Sequence, residues 1–211
     1  MENAESKNAL VPHEAASQLM LQAAAETNSF GKLLKFTKGK YFTGDDEVAA
    51  GREMIAHVTQ WARGWVKFVD SKPVEQRIGK VIEGFTMPAR EDLGDNDEKK
   101  WEKDASGERR DPWARQFYLP MEDPETGEVL VFVTGSDGGC RAINTLCTRA
   151  ARQLVKGPPI IKLGVSSYKH KTYGRIETPD FPIVSWAGLG GSSPIPNTTA
   201  VELDDEIPFN V

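Results

Sequence analysis

The chain has 211 residues, 39% apolar and 27% charged, enough for one core with flanking tails and too little for two large domains. No apolar run approaches the roughly 18 residues of a membrane-crossing helix. The N-terminus, MENAESKNALVPHEAAS, is acidic where a secretory leader begins basic, so a cytoplasmic protein with no membrane partner is expected. The net charge of −5 is segregated: residues 1–30 carry −3, 31–90 carry +4, 91–111 carry −4, 112–187 carry +2 and 188–211 carry −4. A basic body with acidic ends and one acidic internal loop points to an acidic partner for the body.

Residues 1–30 read as an N-terminal tail. Its Ala-rich stretch 12–29 is compatible with a short helix, but the weak apolar stripe argues against docking. From Leu33 the texture becomes β-like. LLKFTKGKYFTG (33–44), EMIAHVTQWARGWVKFV (53–69), PVEQRIGKVI (73–82), EVLVFVTG (128–135), PIIKLGV (159–165) and RIETPDFPIVSW (175–186) are rich in β-branched and aromatic residues and are separated by Gly, Pro or Asp clusters. Pro179 and Pro182 place the last of these at a sheet edge or delay its start. The polar run 90–113, anchored only by Trp101 and Trp113, reads as a long, mobile or functional connection.

The segment GGCRAINTLCTRAARQLVKG (138–157) predicts one helix, with Ile143, Leu146, Cys147, Ala150 and Leu154 forming a core-facing stripe. Arg141, Arg149, Arg152 and Lys156 fall within roughly 80° of arc on its other side. From Gly138 to Arg175 there are eight Lys or Arg and no Asp or Glu. Cys140 and Cys147, both on this helix, are expected to pack rather than pair, and no zinc ligand set accompanies them. Short strands with one central helix before the last pair define a mainly β, α+β chain, an OB-like small barrel over 31–187, with disordered tails on either side.

In QWARGWVKFV, strand alternation sends Trp61, Arg63, Trp65 and Lys67 to one face. Rings interleaved with cations suit a single-stranded nucleic acid, whose bases stack while Lys and Arg follow the phosphates. The opposing expectation is that one or both indoles pack beneath the 90–113 loop or the N-terminal helix. In the second basic region, SSYKHKTYGR, Lys169, Lys171, Tyr173 and Arg175 repeat the aromatic-basic composition expected of a nucleic-acid-contacting hairpin. Catalysis is poorly supported: the three histidines form no triad or metal spacing, and no phosphate-binding Gly-rich loop is present. Asp92, Asp95 and Asp97 are close enough to suggest a divalent ion, but they lack calcium-loop spacing and read better as a solvated acidic loop, so no metal or cofactor is expected.

The chain ends in LDDEIPFNV after a Gly/Ser/Pro-rich run. Asp204, Asp205 and Glu206 can imitate phosphates at a basic rim, while Ile207 and Phe209, stiffened by Pro208, supply an apolar anchor. This DDEIPF tip resembles that of the bacterial single-stranded DNA-binding protein family and of phage single-strand binding and recombination proteins. The resemblance covers about six residues and the linker style, and it departs where Asn210 and Val211 follow Phe209. It implies an OB barrel that holds single-stranded DNA and a tip that recruits replication or recombination proteins. The body, with FTKGKYFTG, GWVKFVDSKPVEQRIGKV and DPETGE, resembles a family of phage and prophage proteins, which implies a bacterial host cell as the setting and no mechanism. The resulting expectation is a non-enzymatic, phage-type single-stranded DNA-binding protein with self-association left open. The alternative is an adaptor that binds a host replication or repair protein through its tail without holding DNA.

Overall fold

A computed structural model describes residues 32–103, 107–172 and 174–188. The N-terminal tail, Tyr173 and the acidic tip at Asp204 to Phe209 lie outside the described residues. The elements are β1 (Lys32–Thr37), β2 (Lys40–Thr43), β3 (Asp46–Val48), β4 (Glu53–Ala56), β5 (Ala62–Val69), β6 (Lys72–Lys80), β7 (Trp113–Glu122), β8 (Val129–Thr134), α1 (Asp137–Ala151), β9 (Pro159–Lys162), β10 (Gly164–His170), β11 (Gly174–Asp180) and β12 (Ile183–Trp186). The described chain is mainly β with one α-helix. Ten strands form a sheet curled into a half-barrel, and β10 and β11 form a separate antiparallel ribbon.

Along the sheet the order is β12-β9-β4-β7-β8-β1-β2-β3, with β5 pairing β6 and β7. The long strand β7 is therefore shared on one edge: its C-terminal end pairs β4 through Ala56 and Met121, and its N-terminal part pairs β5 from Tyr118 to Trp113. Pro120 falls in the gap. Proline has no N–H to give a ladder, and here the partner strand is interrupted beside it, with His57 N–H donating to the Pro120 carbonyl at 3.0 Å. The predicted strand 53–69 is accordingly two strands hinged at this proline, and β7 itself is a central strand absent from the sequence reading.

The inward side of the sheet supplies Leu34, Met54, Phe117, Leu119, Met121, Leu130, Phe132 and Ile161, all buried. Helix α1 closes this concave face with Cys140, Ile143, Leu146 and Ala150. Burial of side chains of this size contributes roughly 1.5–3 kcal/mol each. The Ser136 hydroxyl caps the helix by accepting from Gly139 N–H at 3.1 Å, the expected role of serine at this position. The helix stops at Ala151, six residues short of the predicted end, and a 3-10 turn (Leu154–Lys156) follows. Both cysteines are free thiols on the helix, and burial pushes Cys147 up to about 12. The predicted strand 175–186 is two strands in different sheets, β11 and β12, with Pro182 between them; β12 begins at Ile183 and lies at the end of the sheet order. Among the described residues no helix is long and apolar enough to cross a membrane.

Candidate nucleic-acid interface

With its apolar stripe turned into the half-barrel, α1 presents the opposite side outward. Arg141, Arg149 and Arg152 are exposed there, and with Arg115 from β7 and Asn144, Thr145 and Thr148 they line an open groove of about 610 Å³. Arg115 is ion-paired to Asp137 at one end of the groove. The other three arginines have no carboxylate partner among the described residues. Guanidinium forks beside hydroxyl and amide donors form a surface suited to phosphate oxygens. The sequence singled out the arginines but missed Arg115, which alternation along β7 would have found, and the Asn144, Thr145, Thr148 spacing, which lies on the same helix side.

Lys156 is not on this face. The early end of the helix places it in the 3-10 turn, with its ammonium 6.0 Å from the centroid of the Trp186 ring. The ribbon β10–β11 holds the remaining predicted cations. Lys169 and Arg175 are directly opposite one another in its register, and Lys171 lies in its turn. Like charges at facing positions cost stability; one carboxylate, Glu177, lies 3.9 Å from Arg175. The ribbon meets the helix where Gly138 approaches Thr178 so closely that a β-carbon on Gly138 would fall 2.5 Å from the threonine methyl. The two basic elements are thus joined at the N-terminal end of α1.

Trp61, Arg63, Trp65 and Lys67 share one side of the chain as the alternation predicts, but that side is the concave one. Trp61 is 8% exposed and packs against Phe117 with ring centroids 5.6 Å apart. Arg63 lies over the Trp61 ring at 5.7 Å. Trp65 donates its indole N–H to the Pro88 carbonyl at 3.0 Å. Lys67 is ion-paired to Asp95 at 2.8 Å, and Trp113 donates to the same carboxylate oxygen at 3.1 Å. The connection 81–112 therefore covers this face, and the two indoles do not form the open stacking platform expected of them. The covering supplies acceptors to the Lys67 ammonium and to the Trp65 and Trp113 indole N–H groups, which a half-buried surface would otherwise leave unpaired. The buried Arg63 Nε has no hydrogen-bond partner among the described residues, and its guanidinium rests on the Trp61 ring.

The connection is anchored by Arg90, which donates to both Asp111 oxygens at 2.6 Å and to the Gly94 carbonyl at 2.7 Å. The Lys67 ammonium, helped by Trp113 and Arg90, holds the Asp95 carboxyl below its usual range despite partial burial. With Asp95 so engaged and Asp97 capping a 3-10 turn through Lys99 N–H at 3.1 Å, the 92–97 carboxylates do not converge. Among the described residues no group of three or more His, Cys, Asp or Glu is placed to hold a metal ion. Compared with family models, curated proteins and solved structures, the chain matches none.

Proposed function

We propose that the protein binds single-stranded DNA without reading its sequence, along the outer side of α1 and the basic ribbon, as a phage- or prophage-type replication or recombination factor. The observation that carries this reading is the groove in which Arg141, Arg149 and Arg152 converge with Arg115, with no acid among the described residues paired to the first three. The strand order supports it further. Taking β4 with β5 as a first strand, then β7, β8, β9 and β12, the order β12-β9-β4/β5-β7-β8 with α1 between β8 and β9 corresponds to an OB barrel left open at one seam. On that correspondence the ribbon occupies the connection between fourth and fifth strands, one of those with which OB folds hold oligonucleotides. Residues 204–209 would recruit a partner protein.

A labelled oligo-dT titration at two salt concentrations, with full-length protein and a chain lacking residues 203–211, tests the reading. Binding at low salt by both proteins supports it, and its absence in both rejects it. A second reading is favoured by the covered Trp61 and Trp65: the body is a scaffold and the tail the sole binding element. Loss of all binding to replication proteins on deletion of 203–211, with no DNA binding by the intact chain, would select that adaptor reading.

A further inference from the structure

Lys67 and Trp113 face each other across the register of β5 and β7. One oxygen of the Asp95 carboxylate receives both the Lys67 ammonium, at 2.8 Å, and the Trp113 indole N–H, at 3.1 Å. Two donors converging on one anionic oxygen are what a phosphate oxygen also takes. The residue that delivers this carboxylate has φ +55°, a left-handed backbone that a non-glycine residue adopts at a cost of roughly 1–2 kcal/mol. Arg115 lies two residues along the same side of β7, about 6.6 Å away, and it lines the groove on α1. A strand leaving that groove past Arg115 meets Lys67 and Trp113 next.

We propose that Lys67 and Trp113 form a second phosphate position for the bound strand, occupied in the free protein by the Asp95 carboxylate, which must yield before the strand can use it. The inference rests on the nucleic-acid reading above. A cleft of about 930 Å³ opens beside the pair, lined by Phe68, Trp101 and the cations Lys67, Lys100, Lys103 and Arg110. Facing them are Asp95, Asp97, Glu102 and Asp111, so the cleft is charge-balanced until one acid withdraws. Asp111 is held by Arg90, Asp97 lies 3.6 Å from Lys100 and Glu102 accepts from the Asp70 N–H at 3.4 Å, so Asp95, at 2.8 Å from the Lys67 ammonium, is the acid whose movement frees Lys67. That movement needs no unfolding of the connection, because Arg90 with Asp111 and Trp65 with Pro88 anchor it elsewhere.

The test is an anisotropy titration of labelled oligo-dT across a salt series, using full-length wild type, Asp95→Asn and the double variant Lys67→Gln with Asp95→Asn. Asparagine keeps the shape and removes the competing charge. Asp95→Asn is expected to bind three- to tenfold more tightly at low salt, and the double variant to lose that gain together with about 0.7 of the salt slope, the share of one phosphate on a single strand. If wild type binds and both variants match it in affinity and slope, the second position is wrong while the nucleic-acid reading stands. If no protein binds, both fall. Should Asp95→Asn fail to fold, Lys67→Gln alone decides: a slope lower by about 0.7 supports the proposal, and an unchanged slope overturns it.

Discussion

Replacing Arg141, Arg149 and Arg152 together with glutamine should lower the salt dependence of DNA binding by the share of three phosphates while leaving the fold intact. From Arg141 in α1 to Arg152 at its C-cap the three side chains are spread over eleven residue steps, about 16 Å along the axis, and each is exposed. On a single strand each phosphate neutralised contributes about −0.7 to the slope of log affinity against log salt. Three arginines therefore account for a slope change of about 2, and raising salt tenfold should shrink the affinity gap between wild type and variant about a hundredfold. Glutamine matches arginine in helix propensity, and exposed substitutions cost within about 0.5 kcal/mol each, so the Tm by circular dichroism should move by only a few degrees. Anisotropy titrations with labelled oligo-dT at four or more salt concentrations give both slopes. Parallel lines for wild type and variant, at whatever affinity, would refute the assignment of the groove.

Gly64→Ala should destabilise the domain by roughly 2–3 kcal/mol, because its β-carbon would sit 2.0 Å from the Arg77 carbonyl, and backbone of β6 cannot step aside; thermal denaturation measures this, and a Tm within a degree of wild type would contradict the close approach. Leu146→Ala empties a fully packed position on α1 and should cost about 2–5 kcal/mol in denaturant unfolding. Asp123 is buried, which raises its carboxyl, but the N–H groups of Thr126 and Glu125 and the Arg52 guanidinium outweigh that and leave it lowered from 3.8. A lowered folded value means its contribution is complete above 3.8 and is lost as pH falls through the folded value. Asp123→Asn should thus lower Tm at pH 7, and the gap to wild type should close in acid; a gap that persists unchanged at pH 2 would show that the charge is not what matters.

Much of the sheet could be read from residue texture, because β-branched and aromatic runs bounded by Gly, Pro and Asp mark strands wherever one side is buried. What escaped were features set by neighbours. The stretch WARQFYLPME carries Arg115, Gln116 and Pro120, which weaken any strand reading in isolation, yet the break between β4 and β5 beside Pro120 removes the need for its missing donor. The alternation of Trp61, Arg63, Trp65 and Lys67 was legible, but alternation fixes only which residues share a side. Whether that side meets water depends on a connection more than twenty residues away in sequence, and Pro88, Asp95 and Asp111 give no local sign that they will cover it. The helix arginines were recoverable because an amphipathic stripe fixes both sides of a helix at once. Lys156 was misplaced because its position depended on where the helix ends.

The charge segregation of the chain has its physical meaning in this arrangement. Arg63 and Lys67 lie on a half-buried surface, where an unpaired cation costs more than it can recover from packing. Arg63 is placed over the Trp61 ring, and Lys67 takes Asp95 from the acidic stretch 91–111. That stretch therefore serves as counter-charge to the concave side of the body. Among the described residues no comparable acidic stretch lies over α1, where the arginines sit at the surface and water solvates them at little cost. An incoming polyanion that pairs with the helix displaces only water and mobile ions, whereas one that reaches Lys67 must also displace a carboxylate already bound. The same molecule thus offers an open cationic surface and, next to it along β7, a closed one, with Arg115 at the boundary between them.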